Sequence, residues 1–351
     1  MRKDDIGGSE DKSNRSDAGY TRPCWEQAIE RGTTRTMERY QGGIYLAAAM
    51  LGLLSGHLVP SWAGLLDTAI WPVLGLLLYC VFTQLPRGRL RQALGDGRFL
   101  VAALVGNFVL IPPLVFGLLF LLPEDPAIRL GVLLVLLVPC TDWFLSFTHM
   151  GGGAVDRATA FAPVSLLVQM LLLPVFLWAF LGGETLVSLA HAEMLTAFVA
   201  VILTPLILAR VSAWGAARWG FLQRPVRGLS AMPVPLLALV IFMVAASQST
   251  LVTASLPLLG HLAVIFVIYL VMAVVLARCL SSLFELPVGQ GRTLAFSFGS
   301  RNSFVVLPIA LSLSSGHELA VVVIVFQSLV ELFGMLAYLR WLPTRIFPEP
   351  G

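Results

Sequence analysis

Charged residues are scarce in this sequence. Asp, Glu, Lys and Arg together make up 12% of the 351 residues, whereas 57% are hydrophobic, and the mean hydropathy is +0.85. A soluble domain carries about 25% charged residues, so this chain has too little polar surface to face water on all sides. Its apolar stretches reach the roughly 17–25 residues that cross the hydrocarbon core of a bilayer. The composition therefore predicts an all-α membrane protein.

Motifs for enzymatic chemistry are also lacking. The sequence has no Walker A lysine loop, no GxGxxG after a strand, no HExxH and no GxSxG, so nothing supports an ATPase or another enzyme. We expect no cofactor, no metal site and no nucleic-acid partner. The cysteines contain no CxxC pair and show no metal-ligand spacing, which also argues against a disulfide framework; they are Cys24, Cys80, Cys140 and Cys279.

The first 41 residues differ from the rest of the chain because they carry many charges of both signs. They contain no apolar h-region, so we do not expect a cleaved signal peptide here. We expect residues 1–41 to form a polar tail.

Apolar runs between charged or Gly/Pro-rich breaks predict about ten spans. Their approximate bounds are 43–59, 67–85, 98–121, 127–149, 158–181, 192–211, 232–249, 258–283, 291–314 and 318–342. Alternate loops lack Lys and Arg, namely 60–66, 122–126, 182–191, 250–257 and 315–317. By the positive-inside rule, both termini are cytoplasmic in a multi-pass protein of the plasma (bacterial inner) membrane.

Ten helices divide into two sets of five, and because five is odd, homologous halves would be inverted across the membrane. We place repeat one at 42–182, repeat two at 190–342 and a cytoplasmic C-terminal tail at 343–351. The equivalent fourth and ninth spans both carry polar residues and Pro near their middle. Helix breaks at such depth occur only inside protein or along a wet cavity, which makes them the best pointer to a binding site. The predicted break residues are Pro139, Gly299, Ser300 and Pro308.

Three ionisable side chains lie deep in these spans: Asp142, Arg301 and Glu331. A charge at the bilayer midplane costs about 2.5–3.5 kcal/mol, so we expect Asp142 and Arg301 to pair or to face a water-filled cavity. They form either a structural salt bridge or part of the transport pathway. Glu331 shares a helix face with Gln327 and is either a polar contact within the bundle or a proton-coupling group. Cys140, directly after Pro139, is either a packing residue or a ligand for a thiophilic solute.

At these residues the sequence resembles the bile acid:sodium symporter superfamily and, within it, the arsenical-resistance permeases. The resemblance covers residues 42–342 and rests on Pro139-Cys140-Thr141, Gly151–Asp156, Ser165–Gln169 and Ser300–Phe304. It implies ten helices in two inverted repeats, with a core domain, a panel domain and crossing discontinuous helices 4 and 9. It also implies that Cys140 recognises a metalloid. Thr141, Asn302 and Ser303 would add hydroxyl and amide ligands, and Arg301 would face the solute.

One departure from this pattern concerns coupling. Arsenite permeases carry Asn-Asn-Phe-Glu in the ninth helix, and the bile acid branch uses a glutamate there in its sodium sites. This chain has Val305 at that place. Our hypothesis is that the coupling carboxylate has moved to Asp142, with Arg301 neutralising it. We therefore expect protons rather than Na⁺ as the coupling ion.

Three functions remain open from the sequence. The first is a secondary transporter that exports arsenite or antimonite by exchange with protons. The second is a sodium- or proton-coupled organic anion transporter of the bile acid symporter type, with Arg301 as the counter-charge. The third is a sensor or channel-like protein without coupled transport. The expected partners are a small solute and the lipid bilayer.

Overall fold

A computed structural model describes residues 32–84, 97–141, 143–181, 203–219, 232–313 and 316–349, together with Ala200 and Leu229. Within these ranges the chain consists of helices and turns, with no strand and one isolated β-bridge. Asp142, Cys24 and most of the predicted N-terminal tail lie outside the described residues, as does the first part of the predicted sixth span.

Thirteen helices account for nearly all of the described chain. A 3₁₀ turn at Pro60–Trp62 precedes α2, and α3 contains a π-helical segment at Gly106–Leu110. The helices are α1 Gly32–Leu58, α2 Ala63–Thr83, α3 Gly97–Leu119, α4 Pro126–Leu137, α5 Trp143–Met150, α6 Val155–Leu181, α7 Thr204–Arg218, α8 Pro233–Ser247, α9 Ser249–Ala254, α10 Leu256–Leu283, α11 Val288–Gly299, α12 Ser303–Leu311 and α13 Glu318–Trp341.

Five of the described helices are long and apolar enough to cross a membrane. They are α2, α3, α6, α10 and α13, which establishes a multi-pass membrane architecture by length and composition. Each of the ten predicted spans contains a described helix or a pair of shorter ones. The largest differences from the predicted bounds are that α1 already begins at Gly32 and that α7 continues to Arg218. The ten-span count, the inverted repeat and the membrane orientation stay predictions.

Helices α1, α2, α7 and α8 pack on one another and form a group that we call the panel. The closest approach is between α1 and α8, where Gly52 and Gly56 face the neighbouring backbone. A Cβ at Gly52 would lie 2.4 Å from the carbonyl oxygen of Phe242, and one at Gly56 would lie 2.2 Å from that of Ala246. Small residues four apart thus let two helices meet closely without a strong hydrophobic force between them.

The other group, which we call the core, is centred on α13. Helices α4, α10 and α12 pack against α13, while α11 packs against α10 and α5 packs against α6 and α11. The turn after α5 docks on the start of α11, because the Ala154 N–H donates to both the Gly289 carbonyl (3.0 Å) and the Thr293 hydroxyl (2.8 Å). The Gly-rich stretch singled out in the sequence, Gly151–Asp156, therefore links the end of α5 to the start of α11.

The described part of the predicted C-terminal tail is packed against this core. Phe347 is buried, and its carbonyl accepts hydrogen bonds from Nε and Nη2 of the buried Arg292 at 3.1 and 2.9 Å. Nη1 of Arg292 also donates to the Gly152 carbonyl (3.1 Å). This arginine thus ties the end of the chain to α11 and to the turn after α5.

The α1–α8 contact generates a stability prediction. Gly56→Leu places a side chain against the α8 backbone, and overpacking of this kind costs about 1–3 kcal/mol. The matched control is Gly117→Leu, since nothing lies within 4 Å of a Cβ at Gly117. Thermal unfolding of the purified proteins should show a lower midpoint for Gly56→Leu alone. Equal midpoints for the two variants would contradict the close α1–α8 packing.

Candidate functional site

Two interrupted helices meet in the core. Helix α4 ends at Leu137 and α5 begins at Trp143, while α11 ends at Gly299 and α12 begins at Ser303. The connecting segments run antiparallel, with Pro139 and Arg301 forming the isolated bridge. We call this place the crossing.

The two connecting segments satisfy each other's backbone. The Cys140 N–H donates to the Ser300 carbonyl (3.1 Å), and the Asn302 N–H donates to the Val138 carbonyl (2.8 Å). Unpaired backbone groups at membrane depth each cost several kcal/mol. The pairing therefore lets both helices be interrupted without leaving these groups unsatisfied.

Local sequence explains where α4 stops. Val138 is extended (φ −103°, ψ 108°), as expected before Pro139, whose ring disfavours the helical conformation of its predecessor. Ser300 is also extended (φ −94°, ψ 129°). Gly299, just before it, has no room for a side chain, because a Cβ would lie 2.6 Å from Met335.

The structure corrects the assignment of Pro308 as a break residue. Pro308 lies inside α12. A proline there removes one backbone donor, which would otherwise bond to the carbonyl four residues earlier. The helix continues around it to Leu311, so the interruption in this region is made by residues 300–302 alone.

Arg301 is buried, with 3% of its surface exposed, and it covers the ends of two half-helices. Its Nε and Nη2 donate to the Phe298 carbonyl, and Nη2 also donates to the Ser297 carbonyl (3.3 Å), both near the end of α11. Nη1 donates to the Leu136 carbonyl near the end of α4 (3.4 Å). A helix C-terminus carries partial negative charge, so the guanidinium lies where two such charges converge.

Two further side chains surround the guanidinium from α3 and α10. Asn107, in the π-helical segment of α3, accepts from Nη2 of Arg301 through Oδ1 (3.1 Å). The ring of Tyr269 on α10 lies 5.5 Å from the guanidinium carbon, within cation–π range. The Tyr269 hydroxyl donates to the Phe298 carbonyl (2.7 Å). Sequence reasoning missed both residues, although an amide in the middle of an apolar span is a signal for Asn107.

Glu331 holds the second connecting segment to α13. It is 2% exposed and accepts from the Ser300 hydroxyl (2.9 Å), the Arg301 backbone N–H (2.9 Å) and the Gln327 amide (2.8 Å). The Ser303 hydroxyl donates to the side-chain oxygen Oε1 of Gln327 (3.2 Å). Among the described residues no salt bridge joins the Arg301 guanidinium to Glu331, so the carboxylate is stabilised by neutral donors.

The starts of α5 and α12 also lie at the crossing. The Cys140 sulfur accepts from the Trp143 N–H (3.2 Å) and so caps α5. The Asn302 side chain accepts from the Val305 N–H (3.3 Å) and caps α12. The Thr141 hydroxyl is buried, with 1% of the residue exposed, and has no hydrogen-bond partner in the described part of the chain.

The start of α5 and helix α12 both contact the panel. Trp143, the first residue of α5, stacks on Tyr45 of α1 with ring centres 5.7 Å apart and planes 4° apart. Helix α12 packs against α2. The crossing therefore has one side within the core, where Arg301 lies, and another at the interface between core and panel.

Most of the predicted site residues come together at the crossing: Pro139, Cys140, Thr141, Gly299, Ser300, Arg301, Asn302, Ser303 and Glu331. Asp142 lies outside the described residues, so its pairing with Arg301 and its role in coupling stay predictions. The roles of the other residues in solute binding likewise stay predictions.

A membrane protein whose interrupted helices cross inside a bundle has the architecture of a secondary transporter, in which half-helix ends supply binding groups. The sequence model of the Sodium Bile acid symporter family matches residues 71–255, more than half of the chain. The chain therefore belongs to this family of transporters. No curated protein matches the chain at a significant level.

The contacts of Glu331 generate a second prediction. Glu331→Leu leaves three buried donors without their acceptor, at about 1–3 kcal/mol for each unsatisfied group. Glu331→Gln keeps one acceptor oxygen, so it should lower the stability less than Glu331→Leu does. The control on the same helix is Glu318→Leu at an exposed position. Thermal unfolding should rank Glu331→Leu well below the other two, and equal stability of all three would refute a bracing role for Glu331.

Proposed function

We propose that the protein is a secondary transporter that moves a small organic anion through alternating access at the crossing, coupled to protons. Membership of a transporter family and the two crossing half-helix pairs support transport. The family's name, Sodium Bile acid symporter, supports an organic anion as the solute class.

The position of two half-helix N-termini favours an anion as the solute. Helices α5 and α12 both begin at the crossing, with the start of α5 beside Tyr45 of the panel, and N-terminal ends carry partial positive charge. In transporters with discontinuous helices such ends face the anionic group of the substrate. The Thr141 hydroxyl, buried and without a described partner, would donate a hydrogen bond to the same group.

Arg301 supports the anion from a distance rather than by contact. Its guanidinium is surrounded by carbonyl and amide oxygens on the core side. A positive charge acts over several ångströms in a low-dielectric interior, so it raises the potential at the crossing while staying bound to the helix ends. This favours an indirect role over the direct counter-charge expected from the sequence.

Proton coupling would use a carboxylate at the crossing. Glu331 binds the Arg301 backbone N–H and the Ser300 hydroxyl, so its protonation would weaken the bonds that hold the second connecting segment. Asp142 remains the other candidate, next to Thr141 in the sequence. Alternating access would separate core and panel where Tyr45 and Trp143 stack.

Export of arsenite or antimonite is the second candidate function. Cys140 favours it, since a sulfur lies at the start of α5, at the place expected for metalloid recognition. The same sulfur is buried and accepts the Trp143 N–H, which gives Cys140 a structural role as well. The two roles are separable, because a serine oxygen accepts a backbone hydrogen bond but is a poor ligand for a soft metalloid.

Thr141→Val provides a direct test of the anion site. Valine has nearly the shape of threonine, and removing a hydroxyl that has no partner should not lower stability. We expect uptake of radiolabelled cholate, benzoate or another carboxylate into proteoliposomes to fall several-fold, and Thr141→Ser to retain most of it. Thr148→Val is the control, since its hydroxyl is equally buried and without a described partner. Unchanged uptake in Thr141→Val, or no uptake of any anion by the wild type, would refute the proposal.

The metalloid alternative has its own test. If arsenite is the solute, expression in an arsenite-sensitive bacterial host should confer resistance. Cys140→Ser should remove that resistance while the melting temperature stays near that of the wild type. Cys80→Ser is the control, because Cys80 lies in α2 within the panel. Absence of protection by the wild type would exclude arsenite export.

A further inference from the structure

We propose that the Arg301 guanidinium occupies the position of a coupling cation at the crossing, so that the protein carries its own tethered cation there and does not use Na⁺. The absence of Na⁺ coupling has meaning only if the protein is a transporter, so this inference rests on the proposed function. The experiment that tests it, however, requires no transported solute.

Backbone carbonyl oxygens from two helix ends surround the guanidinium. Carbonyls of Ser297 and Phe298 come from the end of α11, and the carbonyl of Leu136 comes from the end of α4. Both ends carry partial negative charge and point at one place. Half-helix C-terminal ends and unwound carbonyls coordinate Na⁺ in transporters built from discontinuous helices. Here an arginine side chain lies among such groups.

The flanking side chains also have the chemistry of a cation site. Asn107 presents its carbonyl oxygen to Nη2 at 3.1 Å, and its own amide is held by the Ala103 carbonyl and the Ser297 hydroxyl, each at 3.0 Å. Those two bonds fix which end of the amide faces the guanidinium. The ring of Tyr269 adds a π-face. Both groups attract a cation.

The positive charge at this place comes from the crossing itself. Arg301 belongs to the connecting segment that pairs with Pro139, so its guanidinium is joined by covalent bonds to the crossing itself. A diffusible cation would bind and leave during a transport cycle, whereas this charge stays. Coupling must then depend on another ion, which agrees with protons and a carboxylate.

A cation site and a purely structural role for Arg301 predict different effects of added cations on the stability of Arg301→Ala. If the pocket is a cation site, shortening Arg301 to alanine leaves an oxygen-lined space that an added cation fills. If the arginine only packs, no added cation restores stability. Arg292→Ala is the matched control, because Arg292 is equally buried and lies on α11, but its partners are two carbonyls and the exposed Glu349 carboxylate, all away from the crossing.

The experiment measures thermal unfolding of the full-length protein in nanodiscs, with NaCl replaced stepwise by choline chloride at constant ionic strength. We expect the wild-type midpoint not to depend on Na⁺. Arg301→Ala should melt lower and be raised saturably by Na⁺ or by millimolar guanidinium, while Arg292→Ala should melt lower without such rescue. Arg301→Lys should remain independent of Na⁺.

Saturable stabilisation of the wild type by Na⁺ over choline would overturn the inference. So would a folded Arg301→Ala protein that responds to neither cation, or that responds no more than Arg292→Ala. If Arg301→Ala does not fold, Arg301→Lys decides, since stabilisation of that variant by Na⁺ overturns the inference and its absence supports it. Failure of anion uptake would leave these outcomes unchanged, so the two proposals fail separately.

Discussion

The backbone pairing of two interrupted helices is the constraint on which the rest of this structure depends. A break at membrane depth exposes peptide groups that lipid cannot satisfy. Here the segments around Pro139 and Arg301 bond to each other through Cys140 to Ser300 and Asn302 to Val138. The surrounding helices then stabilise this pair, with Glu331 of α13 holding one segment by two hydrogen bonds.

The crossing also separates charge. The C-terminal ends of α4 and α11 lie on the core side, where Arg301 covers them together with Asn107 and Tyr269. The N-terminal ends of α5 and α12, capped by Cys140 and Asn302, also lie at the crossing, and α5 begins beside the panel. One side thus holds a resident cation, and the half-helix N-termini present partial positive charge. This asymmetry links the fold to the proposed transport of an anion.

Sequence reasoning could predict the breaks because their causes are local. Pro139 stops a helix through its own ring and its effect on Val138, and polar residues in the ninth predicted span mark the second break. The partners of Arg301 could not be predicted, because Leu136, Asn107 and Tyr269 come from three other helices. Pro308 was wrongly predicted as a helix break, because the sequence does not distinguish a proline that is tolerated within a helix from one that ends it. The cap formed by Cys140 depends on backbone geometry at the break and has no sequence signal.

The central claim is that the panel moves against the crossing during transport, and the stack of Tyr45 on Trp143 is where the two meet. The most direct measurement joins cysteines at positions 45 and 143, in a background without other cysteines, with a short bifunctional thiol reagent. Uptake of the best-transported anion into proteoliposomes is then followed before and after reductive cleavage of the link. We predict that uptake stops when the link is complete and returns on cleavage. Undiminished uptake by the fully linked protein would contradict the account.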